Sequence, residues 1–255
     1  SSPALIPIML EDGTIENLLF KSEDVRNDRL AMVVARWIER LTDPPIRVPQ
    51  YGVLPTSQSS GIIQLIPNAR TLYDIKHNLR MPILNYICEN NPYKTAHQIQ
   101  ETLVDSIAAS CIFSYILGIG DRHLENILLL KDGQFAHIDM GFILGDDPHG
   151  IPCEMRITRD MLDALGNYNS DTFLEFKNRC EQCYQDIRRA APLWYAIFKH
   201  RGKDRAEKWV KERLVPGEWT QSTTQIVDIV HRSSGTGSWM QNVVDFARAA
   251  KKTIL

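Results

Sequence analysis

The chain lacks the means for a disulfide framework. Its five cysteines (Cys88, Cys111, Cys153, Cys180 and Cys183) are odd in number, scattered and mostly set in apolar stretches. That pattern fits reduced thiols in a cytosolic compartment. One pair, Cys180 and Cys183, forms a lone C-x-x-C inside the helical-looking "FLEFKNRCEQCYQDIRR". With no second pair beside it, two helix positions are the plainer reading than a metal or redox site. No apolar run approaches the ~18 residues of a membrane span. No signal peptide opens the chain, and "SSPALIPIML" reads as the start of a fragment. Net charge is scarce as well: 29 Lys and Arg against 31 Asp and Glu give −2, which excludes a global basic field for nucleic acid. Any affinity for phosphate or membrane must therefore arise from local patches. Repeats and low-complexity tracts are absent too. What is present is ordinary globular protein, 44% hydrophobic and 24% charged over 255 residues, enough for one large domain or two lobes.

Residues 1–21 read as two strands, "ALIPIML" and "IENLLFK", joined by the turn Glu11-Asp12-Gly13-Thr14. Residues 24–41 carry apolar positions at Val25, Leu30, Val33, Val34, Trp37, Ile38 and Leu41, a helical spacing that the Pro-rich "TDPPIRVP" ends. "YGVLPT" and "GIIQLIP" then read as strands around "SQSS". From Thr95 helices are expected over 95–117, 158–165, 170–190, 192–200, 204–213, 221–231 and 238–252. One hairpin interrupts them: "NILLL", the turn Lys131-Asp132-Gly133, and "QFAHI". The expected architecture is α+β, a small β-rich lobe over residues 1–66 and a larger, mainly helical lobe over 67–255. A cleft between unequal lobes is a common place for a ligand.

The stretch "GIGDRHLENILLLKDGQFAHIDMGFILG", residues 118–145, sets many polar groups among apolar runs. Asp121 and Asn126 flank one end of the first hairpin strand and Asp139 follows the second. Strands ~4.8 Å apart bring those ends together, so Asn126 and Asp139 can share a Mg²⁺, which prefers oxygen ligands. His123 lies between them as a candidate to take a hydroxyl proton near neutral pH. Lys21, ending a small-lobe strand, is the candidate cation. Metal, base and facing cation are the equipment of phosphoryl transfer.

"GDRHLENILL" followed by "HIDMGFILG" resembles the catalytic and metal-binding loops of the phosphoinositide 3/4-kinases and their protein-kinase relatives. The resemblance covers nearly the whole chain. "SSPALIP" is similar to the family's phosphate-binding loop, "LLFK" to its lysine strand, "DVRND" to its D-L-R-Q-D, and "QYGVLPTSQSSGIIQLIP" to the strand pair before the adenine hinge. "DPHGIPCEMRITRDMLDALG" looks closest to class III, the phosphatidylinositol 3-kinases of endosomal and autophagic membranes. The resemblance implies a bilobal, protein-kinase-like fold with a truncated small lobe, using ATP with Mg²⁺, or Mn²⁺ in its place. It implies Ser2 in the phosphate loop, Lys21 on the phosphates, and Asp28 with Tyr51 at the back of the pocket. Ile63 would be the gatekeeper, Gln64 and Ile66 would offer backbone groups to adenine, and Leu128 and Ile138 would form the floor. Asp121 and His123 would handle the proton, with Asn126 and Asp139 on metal. Two differences stand out: Asp139-Met140-Gly141 replaces D-F-G, and the Lys21-to-Asp28 spacing is one residue shorter than in K-x-G-D-D-L-R-Q-D.

The implied substrate loop, 142–155, carries Asp146, Asp147 and Glu154 and no Lys or Arg. An acidic loop repels a multiply phosphorylated headgroup, so phosphatidylinositol, giving phosphatidylinositol 3-phosphate, is the expected substrate. The terminal "SWMQNVVDFARAAKKTIL" reads either as a core-packing helix or as an interfacial one. The implied setting is cytoplasmic and peripheral, with regulatory subunits or accessory domains as partners. The alternatives are a 4-kinase, a protein kinase of the phosphatidylinositol-3-kinase-related group, and a nucleotide-binding pseudokinase.

Overall fold

The computed structural model describes residues 3–148 and 154–215. Ser2, the stretch that reads "HGIPC", and the helices expected at 221–231 and 238–252 lie outside the described residues.

The first sheet is antiparallel and four-stranded, in the order β1 (Ala4–Met9), β2 (Ile15–Lys21), β4 (Gly61–Gln64), β3 (Val53–Pro55). Its central pairing sets Leu19 opposite Ile63 and Lys21 opposite Gly61. Helix α1 (Arg26–Leu41) packs on this sheet and buries Ala31, Val34, Ala35 and Ile38, the i, i+3, i+4, i+7 stripe of one helix face. Val33, expected inside, is exposed, and Ala31 and Ala35 take the inner positions. Small side chains there let the helix sit close to the strands.

The second sheet, β5 (Ala69–Thr71), β6 (Ile127–Leu130) and β7 (Phe135–His137), is built on the expected hairpin. The register pairs Ile127 with His137 and Leu129 with Phe135. Gly133, at φ 98°, supplies the left-handed residue of its turn, and the Gln134 amide donates to the Asp132 carboxylate at 3.1 Å. Strand β5, not expected from the sequence, pairs with β6 through Ala69–Leu130 and Thr71–Leu128. A π-helical turn at Asp74–Asn78 and helix α2 (Ile83–Asn90) follow it, also unexpected.

Helix α3 (Ala96–Leu117) is the central post of the larger part. A Thr95–Gln98 capping box starts it, and Gly118, at φ 55°, ends it. From Ile107 onward every residue of this helix is buried, because other elements surround it. The rest are α4 (Arg159–Ala164), α5 (Asp171–Arg188), α6 (Ala191–Phe198) and α7 (Lys203–Leu214). Cys180 and Cys183 face the core from α5 as buried helix positions. No described helix is long and apolar enough to cross a membrane.

Candidate active site

Between the two sheets lies a cavity of about 570 Å³. Its walls are apolar: Leu19 and Ile63 from the first sheet, Ile66 from the connection, Ala69 from β5, and Leu128 and Ile138 from the hairpin. One rim is polar and carries Lys21, Glu23, Asn126 and Asp139, with Asp28 and Tyr51 behind. Of the residues singled out in the sequence, Lys21, Asp28, Tyr51, Ile63, Gln64, Ile66, Leu128, Ile138, Asn126 and Asp139 all line this one space. Asp121 and His123 do not line it; they sit on the loop leading into β6.

Lys21 ends β2, so the alternation of that strand aims its side chain into the gap. Its ammonium is 2.6 Å from a Glu23 carboxylate oxygen and 3.6 Å from Asp139 Oδ1. Burial works against its charge, but the Glu23 hydrogen bond and the charges of Asp139, Glu23 and Asp28 outweigh that and raise its pKa. Asp28, in the first turn of α1, accepts from the Tyr51 hydroxyl and from the Met140 amide, both at 3.3 Å. Burial raises the Asp28 pKa, against the opposing pull of Lys21 and of the Met140 amide. Burial also raises the Tyr51 pKa well above its usual value, with the Asp28 charge adding to it. The neighbouring Asn27 amide donates to the Gly141 carbonyl at 3.1 Å. The first turn of α1 thus holds the chain on both residues that follow Asp139.

The loop from Gly118 to Asn126 is fixed mainly by backbone bonds. Asp121 accepts from the His123 amide through its carbonyl at 3.2 Å and from the Asn126 side chain at 3.0 Å. The Asn126 carbonyl accepts from the Ile138 amide, which ties the loop to the end of β7. Asp121 (φ 50°) and Asp139 (φ 61°) both adopt left-handed backbone, which costs a non-glycine residue on the order of 1 kcal/mol or more. Such positions persist where their surroundings over-determine them. Here Arg122, buried, provides the constraint: its guanidinium donates to the carbonyls of Gly120 (2.9 Å), Asn126 (3.3 Å), Ile138 (2.7 Å) and Asp139. Burial lowers its pKa to about 10, which leaves it charged at neutral pH.

Asn126 donates its side-chain nitrogen to Asp121, which leaves the side-chain oxygen as the acceptor. That oxygen and the half-exposed Asp139 carboxylate are hard donors on one rim, a set that fits a Mg²⁺ carried in part by phosphates. Among the described residues no cluster of three or more His, Cys, Asp or Glu could hold a metal by itself. His123 Nδ1 accepts the Glu125 amide at 3.2 Å, so the neutral ring carries its proton on Nε2.

A family model for phosphatidylinositol 3- and 4-kinase matches residues 15–210, a span that contains every described element of the site after β1. The chain belongs to that family. It is 31% identical over 208 residues to the phosphatidylinositol 3-kinase pik3 of Schizosaccharomyces pombe, covering 77% of this chain and 26% of the relative. It is 34% identical over 194 residues to the nodule isoform of phosphatidylinositol 3-kinase from Glycine max (73% and 24%). Over 190 residues it is 33% identical to phosphatidylinositol 3-kinase VPS34 of Saccharomyces cerevisiae (72% and 22%). The chain thus spans about a quarter of the length of these curated relatives. The α+β kinase-like fold of the family agrees with the small sheet and the mostly helical remainder.

Sequence reasoning missed several members of this kinase site. Arg122 looked like one more charge in a polar loop. Asn27 and Glu23 left no signal beyond their neighbourhood to Asp28 and Lys21. Arg205, from α7, reaches Ile143 and Asp146 from a distant part of the sequence, which no local pattern could reveal.

Proposed function

We propose that the chain is the catalytic part of a lipid kinase that transfers the γ-phosphate of ATP to the 3-hydroxyl of phosphatidylinositol. The observation that carries this reading is the cavity between the two sheets, with apolar walls and one charged rim. Adenine suits the apolar part, where the Gln64 carbonyl and the Ile66 amide stand at the strand end; the Gln64 amide is already bonded to the Gly52 carbonyl at 2.8 Å. Ile63 closes the back as gatekeeper, and Leu128 and Ile138 form the floor. Lys21 meets the phosphates, and Asp28 with Tyr51 fixes the turn beneath them. Phosphate competes with Glu23 for the Lys21 ammonium, because both are anions at hydrogen-bonding distance. Asn126 and Asp139 would hold Mg²⁺, which neutralises phosphate charge as the phosphoryl group moves. Asp121 and His123 handle the proton of the lipid hydroxyl. With His123 protonated on Nε2, the ring donates toward developing charge, and the Asp121 carboxylate is the group left to accept the proton.

The substrate lies in a bilayer, so this kinase works peripherally at a membrane. Endosomal or autophagic membranes, with regulatory subunits, are the proposed setting, by analogy with the class that the sequence resembles. The test is radiolabelled ATP offered with Mg²⁺ to phosphatidylinositol vesicles and, side by side, to serine peptides. The expected product is phosphatidylinositol 3-phosphate. Label on the 4-position, on peptide only, or on neither overturns the reading in favour of a 4-kinase, a protein kinase or a pseudokinase respectively.

A further inference from the structure

We propose that Arg205, on α7, sets the position and the net charge of the segment that follows Gly141, and is a specificity-determining positioning residue for the lipid headgroup. The inference rests on the lipid-kinase reading above. By sequence this segment has carboxylates and no cation. The fold supplies one. The Arg205 guanidinium donates to the carbonyls of Ile143 and Leu144, both at 3.1 Å, and pairs with Asp146 at 2.7 Å.

The segment so held is stitched to the loop that carries Asp121. The Leu144 amide donates to the Leu117 carbonyl at 2.7 Å, Gly145 to Gly118 at 3.1 Å, and Gly120 to Phe142 at 3.0 Å. The Asp147 carboxylate accepts the Asp121 amide at 3.0 Å. Close approach is built in: a Cβ on Gly120 would stand 2.1 Å from the Asp146 carbonyl, and one on Gly118 2.2 Å from the Trp209 ring. Trp209 belongs to α7 as well, and Arg213 of the same helix donates to the Glu154 carbonyl at 3.2 Å. Helix α7 therefore holds this stretch through several contacts, and its Arg205 pairs directly with one of the stretch's carboxylates.

Consequently, Asp146 does not meet a headgroup as a bare carboxylate. The repulsion is weaker than three bare carboxylates would give, because Arg205 offsets one of them. Both partners are solvent-accessible, with side-chain exposures of 41% and 59%, so the pair is screened and its effect on substrate choice is modest. Removing Arg205 unmasks Asp146 and should deepen discrimination against phosphorylated headgroups roughly three- to tenfold, the scale of one charge contact at a wet surface.

The test measures rates on phosphatidylinositol and on its 4,5-bisphosphate, in vesicles of matched surface charge at low salt. Arg205→Ala should raise the ratio of the two rates by that factor, and Arg205→Lys should leave it near wild type. The double variant Arg205→Ala, Asp146→Asn should return it to the wild-type value. A ratio unchanged in Arg205→Ala, or still raised in the double variant, overturns the proposal. Amide hydrogen exchange over residues 143–147 gives a second readout that needs no lipid. It should quicken in Arg205→Ala while the urea midpoint stays put, and unchanged protection refutes the positioning role. If the wild type phosphorylates neither lipid, the lipid-kinase reading falls and the charge role with it, while exchange still decides the positioning.

Discussion

Replacing Arg122 with lysine keeps the positive charge and removes the fork. In the wild type four N–H groups of one planar guanidinium reach the carbonyls of Gly120, Asn126, Ile138 and Asp139, on two separate stretches of chain. An ammonium is a compact donor and can satisfy one or two of these. The Asn126 carbonyl keeps the Ile138 amide in any case, which leaves about two buried or part-buried acceptors without a donor. Each such group costs ~1–3 kcal/mol, so Arg122→Lys should destabilise the fold by about 2–5 kcal/mol. For a protein of this size that lowers Tm by about 5–20 °C. Urea denaturation and thermal melts measure the loss directly. Activity should fall further than stability, by on the order of a hundredfold at a temperature where the variant is folded, because misplacing Asn126 and Asp139 by ~1 Å is enough for that. A variant that loses under about 1 kcal/mol and keeps its rate would refute the idea that Arg122 holds the strained loop and the hairpin end in register.

Asp139→Asn should abolish Mg²⁺-dependent ATP turnover with the fold intact, and a residual rate above about a tenth of wild type speaks against a metal ligand. Lys21→Met should lower kcat about a hundredfold with little change in Tm, whereas Glu23→Gln should tighten ATP binding a few-fold by releasing the Lys21 ammonium; unchanged affinity in a titration refutes that competition. The buried His137 has its pKa pushed down to about 3 by burial and by Arg122, while Ser110 holds its Nε2 at 2.8 Å. Its neutral ring contributes stability that is complete above pH 6.5 and is lost as pH falls toward 3, about 2 kcal/mol of it by pH 5. Urea midpoints at pH 7 and pH 5 should therefore differ less in His137→Gln than in wild type, and equal differences count against the buried neutral ring.

The hairpin was legible because its apolar strands and Asp132-Gly133 turn agree with one another, and that agreement set Asn126 and Asp139 side by side. The cavity walls were legible through resemblance rather than through periodicity. Strand β5 was not, since three residues carry no period and its pairing with β6 is a tertiary event. Helix α2 begins just after Pro82, a start signal that the short "ILNYICEN" does not reinforce with a clear stripe. The strand expected over 61–67 stops at Gln64, because the chain leaves the first sheet there and enters the second at Ala69. The arginine that pairs with Asp146 was not legible for a similar reason: Arg205 is distant in sequence and near only in space.

Asn27 and Asp28 hold Gly141 and Met140 from the first turn of α1, so the tilt of that helix and the placement of the Asp139 turn form one mechanical variable. Thermodynamic reciprocity then applies in both directions. Whatever changes the seating of α1 then changes the affinity for a ligand held at Asp139, and that ligand changes the seating of α1 by the same free energy. A contact made on the outer face of α1, at exposed Val33 for example, thus reaches the reaction without touching the cavity.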